Sequence, residues 1–154
     1  MRQNLHLALA CCLVVAGCAG PTDPVRHVEV KISADRQTAD STAPVHVTVV
    51  VVNRGASVVE AVNPRGYCNP PFTVLNEDGR ELAPPARFCL LVLYAPVRLA
   101  PGDSLTIKDR WAGDTYDAQR GARPAPPGQY RLVARVGVEG RLLSSEPIGV
   151  VRPK

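Results

Sequence analysis

Hydrophobic and polar positions alternate along most of this chain once its first two dozen residues are past. Val28, Val30 and Ile32 share one parity while His27, Glu29 and Lys31 share the other, which predicts a half-buried strand. Val45, Val47, Val49 and Val51 repeat the pattern against His46, Thr48, Val50 and Val52. The outer positions turn apolar partway, so this strand is expected to be central and better covered in its C-terminal half. It ends at Asn53-Arg54-Gly55, a turn former, and extended character resumes over residues 57–62. Phe72-Thr73-Val74-Leu75 and Arg80-Glu81-Leu82 flank Asn76-Glu77-Asp78-Gly79, and an Asp-Gly step between β-prone runs predicts a hairpin.

Residues 88–94 form another apolar strand, closed by Pro96. A turn at Leu99-Ala100-Pro101-Gly102-Asp103 leads into Leu105, Ile107 and Trp111 in phase, with Thr106, Lys108 and Arg110 opposite. Residues 112–128 have no apolar periodicity and carry Pro124, Pro126 and Pro127, so an exposed loop is expected there. Tyr130, Leu132, Ala134 and Val136 alternate with Arg131 and Arg135 on the next strand. Leu142-Leu143 and residues 148–151 are expected to make one final strand, whose interruption by Pro147 suits an edge. Short strands at roughly 8–12-residue spacing, with no helical segments between them, predict an all-β, immunoglobulin-like antiparallel sandwich of about seven to nine strands. That domain would occupy residues 25–154.

The start of the chain has a different pattern. Arg2 precedes an apolar run over residues 5–16, too short for the ~20 residues of a spanning helix and proportioned like the apolar core of a signal sequence. The run ends in Val15-Ala16-Gly17-Cys18, which resembles the lipobox of bacterial lipoproteins. That resemblance implies a signal peptide over residues 1–17, a diacylglyceryl group on the Cys18 thiol, and a short proline-broken tether over residues 18–24. It places the domain in the cell envelope, on the non-cytoplasmic side of a membrane. In an envelope with two membranes, Ala19 after Cys18 resembles cargo sorted to the outer one. The alternative is a secretory signal cut elsewhere, with Cys18 an incidental thiol.

Of five cysteines, Cys11 and Cys12 leave with such a signal and Cys18 carries lipid. Cys68 and Cys89 remain, in an exported and oxidising compartment, and a disulfide between them would close a loop of about 20 residues. On a chain-entropy treatment it contributes roughly 3 kcal/mol. A metal site is the poorer reading, because no Cys-x-x-Cys occurs and His27 and His46 lie far upstream.

Composition narrows the function classes. A content of 45% apolar and 21% charged residues belongs to a globular domain rather than a disordered one. The net charge of +4, one unit less without Arg2, is mild, and Arg26, Arg54, Arg80, Arg98 and Arg135 stand apart. No nucleic-acid partner is expected from that distribution.

In chain order, Asn53-Arg54-Gly55, Phe72-x-Val74, Asp78-Gly79, Leu99-x-Pro101-Gly102-x-Ser104, Trp111 and Pro127-Gly128-x-Tyr130-x-Leu132 resemble the BsuPI-type intracellular proteinase inhibitor domain over residues 45–150. The resemblance implies an immunoglobulin-like sandwich and proteinase inhibition. The chain departs from the family pattern at Cys68-Asn69-Pro70-Pro71 and at Ala83-Pro84-Pro85-Ala86, both beside the two cysteines. There a disulfide would stand in for aromatic packing.

Catalytic chemistry has few candidates, and no enzyme is expected. His27 and His46 read as solvent-facing strand positions, and no nucleophile elbow, zinc-protease helix or phosphate-binding glycine loop occurs. Asp109, Asp114 and Asp117 bracket Trp111 without the spacing of a calcium loop and read as a turn, so neither metal nor cofactor is expected. Trp111 reads as core, and Tyr130 as a corner residue whose hydroxyl bonds backbone. Residues 63–71, with Arg65 and Tyr67 held by prolines and the proposed bridge, are one candidate binding loop, and residues 120–127 or an exposed strand edge are the others. The sequence thus predicts a membrane-anchored interaction module whose partner is another envelope protein, a protease if the inhibitor reading holds.

Overall fold

The computed structural model describes residues 23–62, 70–83, 96–117 and 119–154. A single 3-10 turn, Pro24–His27, opens the domain, with Asp23 capping it through a bond from the Val25 N–H. Strand β1 (Val28–Ala34) and β2 (Val45–Asn53) follow, then β3 (Val59–Ala61), β4 (Phe72–Leu75), β5 (Glu81–Leu82) and β6 (Val97–Leu99). The remainder is β7 (Ser104–Trp111), β8 (Asp114–Asp117), β9 (Gly121–Pro124), β10 (Gly128–Val138), β11 (Arg141–Ser144) and β12 (Ile148–Arg152).

The fold is an all-β, immunoglobulin-like antiparallel sandwich. One sheet has the order β1-β2-β7, and β2 is its centre, as its valine content predicts. The other runs β5-β4-β10-β3-β6, with β11 and β12 also paired to β10. A separate hairpin joins β8 to β9. Every residue of one parity in β2, from Val45 to Val51, is fully buried, and so are Leu132, Ala134 and Val138 of β10. These two strands face each other across the core, with Phe72, Val74, Ile107, Trp111 and Val150 filling the space between them. Burying each such side chain contributes about 1.5–3 kcal/mol, so the alternation dictates the register.

Four departures from the sequence reading have local causes. Twelve strands occur among the described residues rather than seven to nine, because several are arms of only two to four residues. Residues 112–128 are not a simple exposed loop: they contain β8 and β9, with Thr115 and Ala125 buried. The expected final strand is two, since β11 pairs with the C-terminal half of β10 and β12 with its N-terminal half, Pro147 lying between them. His27 sits in the 3-10 turn rather than in a strand, although it is exposed as expected. The predicted strand over residues 88–94 lies outside the described residues.

The Asn76–Gly79 hairpin turn forms as read. The Gly79 N–H donates to the Asn76 carbonyl, the Arg80 N–H donates to Asn76 Oδ1, and Gly79 takes a φ of 78°. Among the described residues, no helix is long and apolar enough to cross a membrane.

Candidate functional site

The two sheets part along one flank, where β7 is the last strand of its sheet and β5 the last of the other among the described residues. A cleft of about 1050 Å³ opens there. Phe72, Val74 and Trp111 give it an apolar floor, and Glu81, Arg135 and Asp114 stand at its polar margins. An apolar concavity with few charged groups around it is the usual form of a recognition site.

Its floor is rigid for reasons the sequence partly announces. The Trp111 ring stands edge-on to Tyr130, with centroids 5.1 Å apart and planes at 68°. Such a pair contributes roughly 0.5–1.5 kcal/mol beyond its buried area. Trp111 Nε1 donates to the Asp114 carbonyl at 2.9 Å, tying β7 to the start of β8. Tyr130 donates its hydroxyl to the Pro126 carbonyl at 2.6 Å, the corner bond expected of it, and burial raises its phenol above the ordinary value. Both aromatic residues are therefore structural, consistent with their sequence reading.

The polar margin is a short chain of side chains. Thr73 Oγ1 donates to Glu81 at 3.4 Å, and Arg135 Nη1 donates to the other Glu81 oxygen at 3.3 Å. Arg135 and Glu81 keep 41% and 50% of their side-chain surface in solvent, so their attraction is screened and leaves both available to a ligand. β8 closes one side, because Thr115 Oγ1 and the Tyr116 N–H both donate to the Ala83 carbonyl.

Catalytic machinery does not assemble in this cleft from the described residues. His27 and His46 are exposed at opposite ends of the β1–β2 ladder. Asp109 accepts from the Arg110 N–H, and among the described residues no three of His, Cys, Asp and Glu come together to hold a metal ion.

Cys18 lies outside the described residues, as do Arg65, Tyr67 and Cys68 in the segment 63–69 and Cys89 in the segment 84–95. The described residues that border those two segments do have a place. Val62, Pro70 and Ala83, which flank those two segments in the sequence, all line the cleft. Sequence reasoning did not single out Glu81 and Arg135. They are 54 positions apart and carry no motif, and only the register of β10, β4 and β5 brings them together.

No family model matches the chain, and no curated protein does. Solved structures with some similarity include the β-glucosidase from Listeria innocua in complex with isofagomine, at 17% identity and a TM-score of 0.44. The match covers 82% of this chain and 16% of that one. Another is SoR45, a structural genomics target, at 12% identity and a TM-score of 0.36, covering 80% of this chain and 83% of that one. The chain thus spans about a sixth of the β-glucosidase it matches.

Proposed function

We propose that this protein is a non-enzymatic, lipid-anchored envelope protein whose sandwich binds another protein at the flank cleft. The observation that carries the binding reading is the cleft itself: an apolar floor, an exposed Glu81–Arg135 pair, and strand edges on both sides. A partner would enter as an extended segment, or through loop contacts with residues 63–71, where Arg65 and Tyr67 supply charge and an aromatic face. Support for the anchor comes from Val15-Ala16-Gly17-Cys18 and the apolar run before it. A Cys68–Cys89 disulfide would stiffen the two segments bordering the site and reduce the entropy lost on binding.

A second reading, a proteinase inhibitor of the BsuPI type, is favoured by the ordered motif from Asn53 to Leu132. It shares the site and differs in the partner, which would be a protease.

Fractionation and capture test both readings. Cys18→Ser should move the protein from the membrane to the soluble fraction, and unchanged partitioning would refute the anchor. A partner captured from envelope extracts should be lost on Arg135→Glu or on exchange of residues 63–71. Recovery unaffected by both changes would refute the site. Loss of a captured protease's activity selects the inhibitor reading, whereas substrate turnover by the purified domain would overturn the non-enzymatic one.

A further inference from the structure

We infer that the end of the sandwich formed by residues 23–27, 53–58 and 139–141 is a membrane-facing surface, held against the bilayer by a tether too short to let the domain turn over. This rests on the proposed lipid at Cys18. The fold locks the chain from Asp23 onward. Asp23 caps the 3-10 turn, its carboxylate pairs with Arg141 at the β10–β11 turn, Val25 is buried, and the Arg54 N–H donates to the His27 carbonyl.

Only residues 19–22 then separate the lipidated residue from the folded domain, and five peptide steps span at most about 17 Å. Strands β2 and β10 contain 9 and 11 residues. At ~3.3 Å per residue the sandwich is about 30–36 Å long, roughly twice the tether's reach. The near end holds Asn53, the Asp23–Arg141 pair and the exposed Val58. The far end holds Trp111, Tyr130 and the Asn76–Gly79 turn.

Charge does not set this orientation. Arg54 is paired with Glu29 and Arg141 with Asp23, and the exposed Arg26 is offset by Glu60 and Glu139. A mixed surface of this kind has no net attraction to anionic headgroups. The tether alone decides which end is down, so the orientation should be the same on neutral and anionic lipid.

Trp111, the one tryptophan of the chain, is a natural reporter for the far end. The lipidated full chain would be reconstituted in phosphatidylcholine vesicles with and without headgroup-nitroxide phosphatidylcholine. The wild type and Asp78→Trp, at the far turn, should keep their emission. Ala56→Trp, at the near end, should lose its added component. Inserting about fifteen Gly/Ser residues after Gly20 should abolish that loss by lengthening the reach. Equal quenching of the two variants, an unquenched Ala56→Trp, or a loss that survives the insertion would overturn the orientation while flotation with the vesicles leaves the anchor standing. Protein that does not float overturns both.

Discussion

Asn53 is the only fully buried polar side chain among the described residues, and replacing it with alanine should cost about 3 kcal/mol. Its Nδ2 donates to the Leu99 carbonyl at 2.9 Å and to the Ser57 carbonyl at 2.8 Å, while Oδ1 accepts from the Gly55 N–H at 2.9 Å. The side chain therefore joins the end of β2, the turn into β3 and the end of β6. Its backbone adds two more bonds, from its N–H to the Asp103 carbonyl and from the Gly102 N–H to its own carbonyl. Alanine keeps the backbone bonds and removes all three side-chain ones. The Leu99 bond is buried, so that carbonyl is stranded at about 1–3 kcal/mol; the Ser57 and Gly55 groups reach water, and together cost about 1 kcal/mol. For a domain with roughly 5–15 kcal/mol in hand, this is a large fraction.

Urea unfolding followed by Trp111 fluorescence would read the loss as a midpoint lowered by about 2 M, with the slope unchanged. Asn53→Asp separates the hydrogen bonds from the volume. Its carboxylate would face two carbonyls in a buried site, which raises its folded-state pKa above the unfolded value. Its penalty should therefore be largest at neutral pH, shrink as pH falls through the raised folded-state value, and be smallest below about 4, where a protonated carboxyl can donate once. A midpoint shift worth under ~1 kcal/mol for Asn53→Ala, or an Asn53→Asp penalty that ignores pH, would refute the assignment.

Three further outcomes are expected. Tyr130→Phe loses the bond to the Pro126 carbonyl and should cost about 1 kcal/mol in urea. Because burial raises the Tyr130 phenol above 10.0, the folded state keeps a proton that the unfolded state gives up. Stability should thus fall as pH rises through 10, and Tyr130→Phe should lose its share of that fall. On the acid side, the Asp40 carboxyl is held below 3.8, chiefly by the Thr42 hydroxyl and then by the Ala43 and Thr42 N–H groups. Its contribution is present above 3.8 and lost as pH falls through the lower folded value, so Asp40→Asn should flatten the acid limb of a stability profile. On the proposed export and pairing, Cys68 and Cys89 should resist thiol reagents until reduced, and reduction should cost no more than roughly 3 kcal/mol; labelling of both without reductant would refute the bridge.

Strands β1, β2, β7 and β10 were legible because one face of each is better covered than the other along most of its length, which writes the period of two into the sequence. The Trp111 and Tyr130 roles followed from the same phase, since both fall on the inward parity of a long strand. The cleft margin was not legible. Glu81 and Arg135 are outward residues of different strands, and nothing local distinguishes them from other exposed charges. Asn53 was visible as a turn former but not as the buried node it becomes, because two of its three side-chain partners lie within four residues and the third lies 46 away.

Residues 112–128 show why prolines and missing periodicity misled the reading there. Periodicity records burial of large apolar side chains, and the described residues from β8 to the end of this stretch bury little beyond Thr115 and Ala125. Their hairpin is held instead by main-chain groups: Trp111 Nε1 on the Asp114 carbonyl, Arg152 Nε on the Gly113 carbonyl, and the Ala125 N–H on that same Gly113 carbonyl. Such bonds leave no trace in hydropathy, because any residue type supplies the carbonyl. A proline signals only that a donor is absent. Pro126 lacks a backbone N–H and keeps its carbonyl, and that carbonyl receives the Tyr130 hydroxyl. The proline-rich stretch is thus ordered by what it accepts, and its acceptors are filled by Tyr130, Trp111 and Arg152, side chains that lie on β10, β7 and β12.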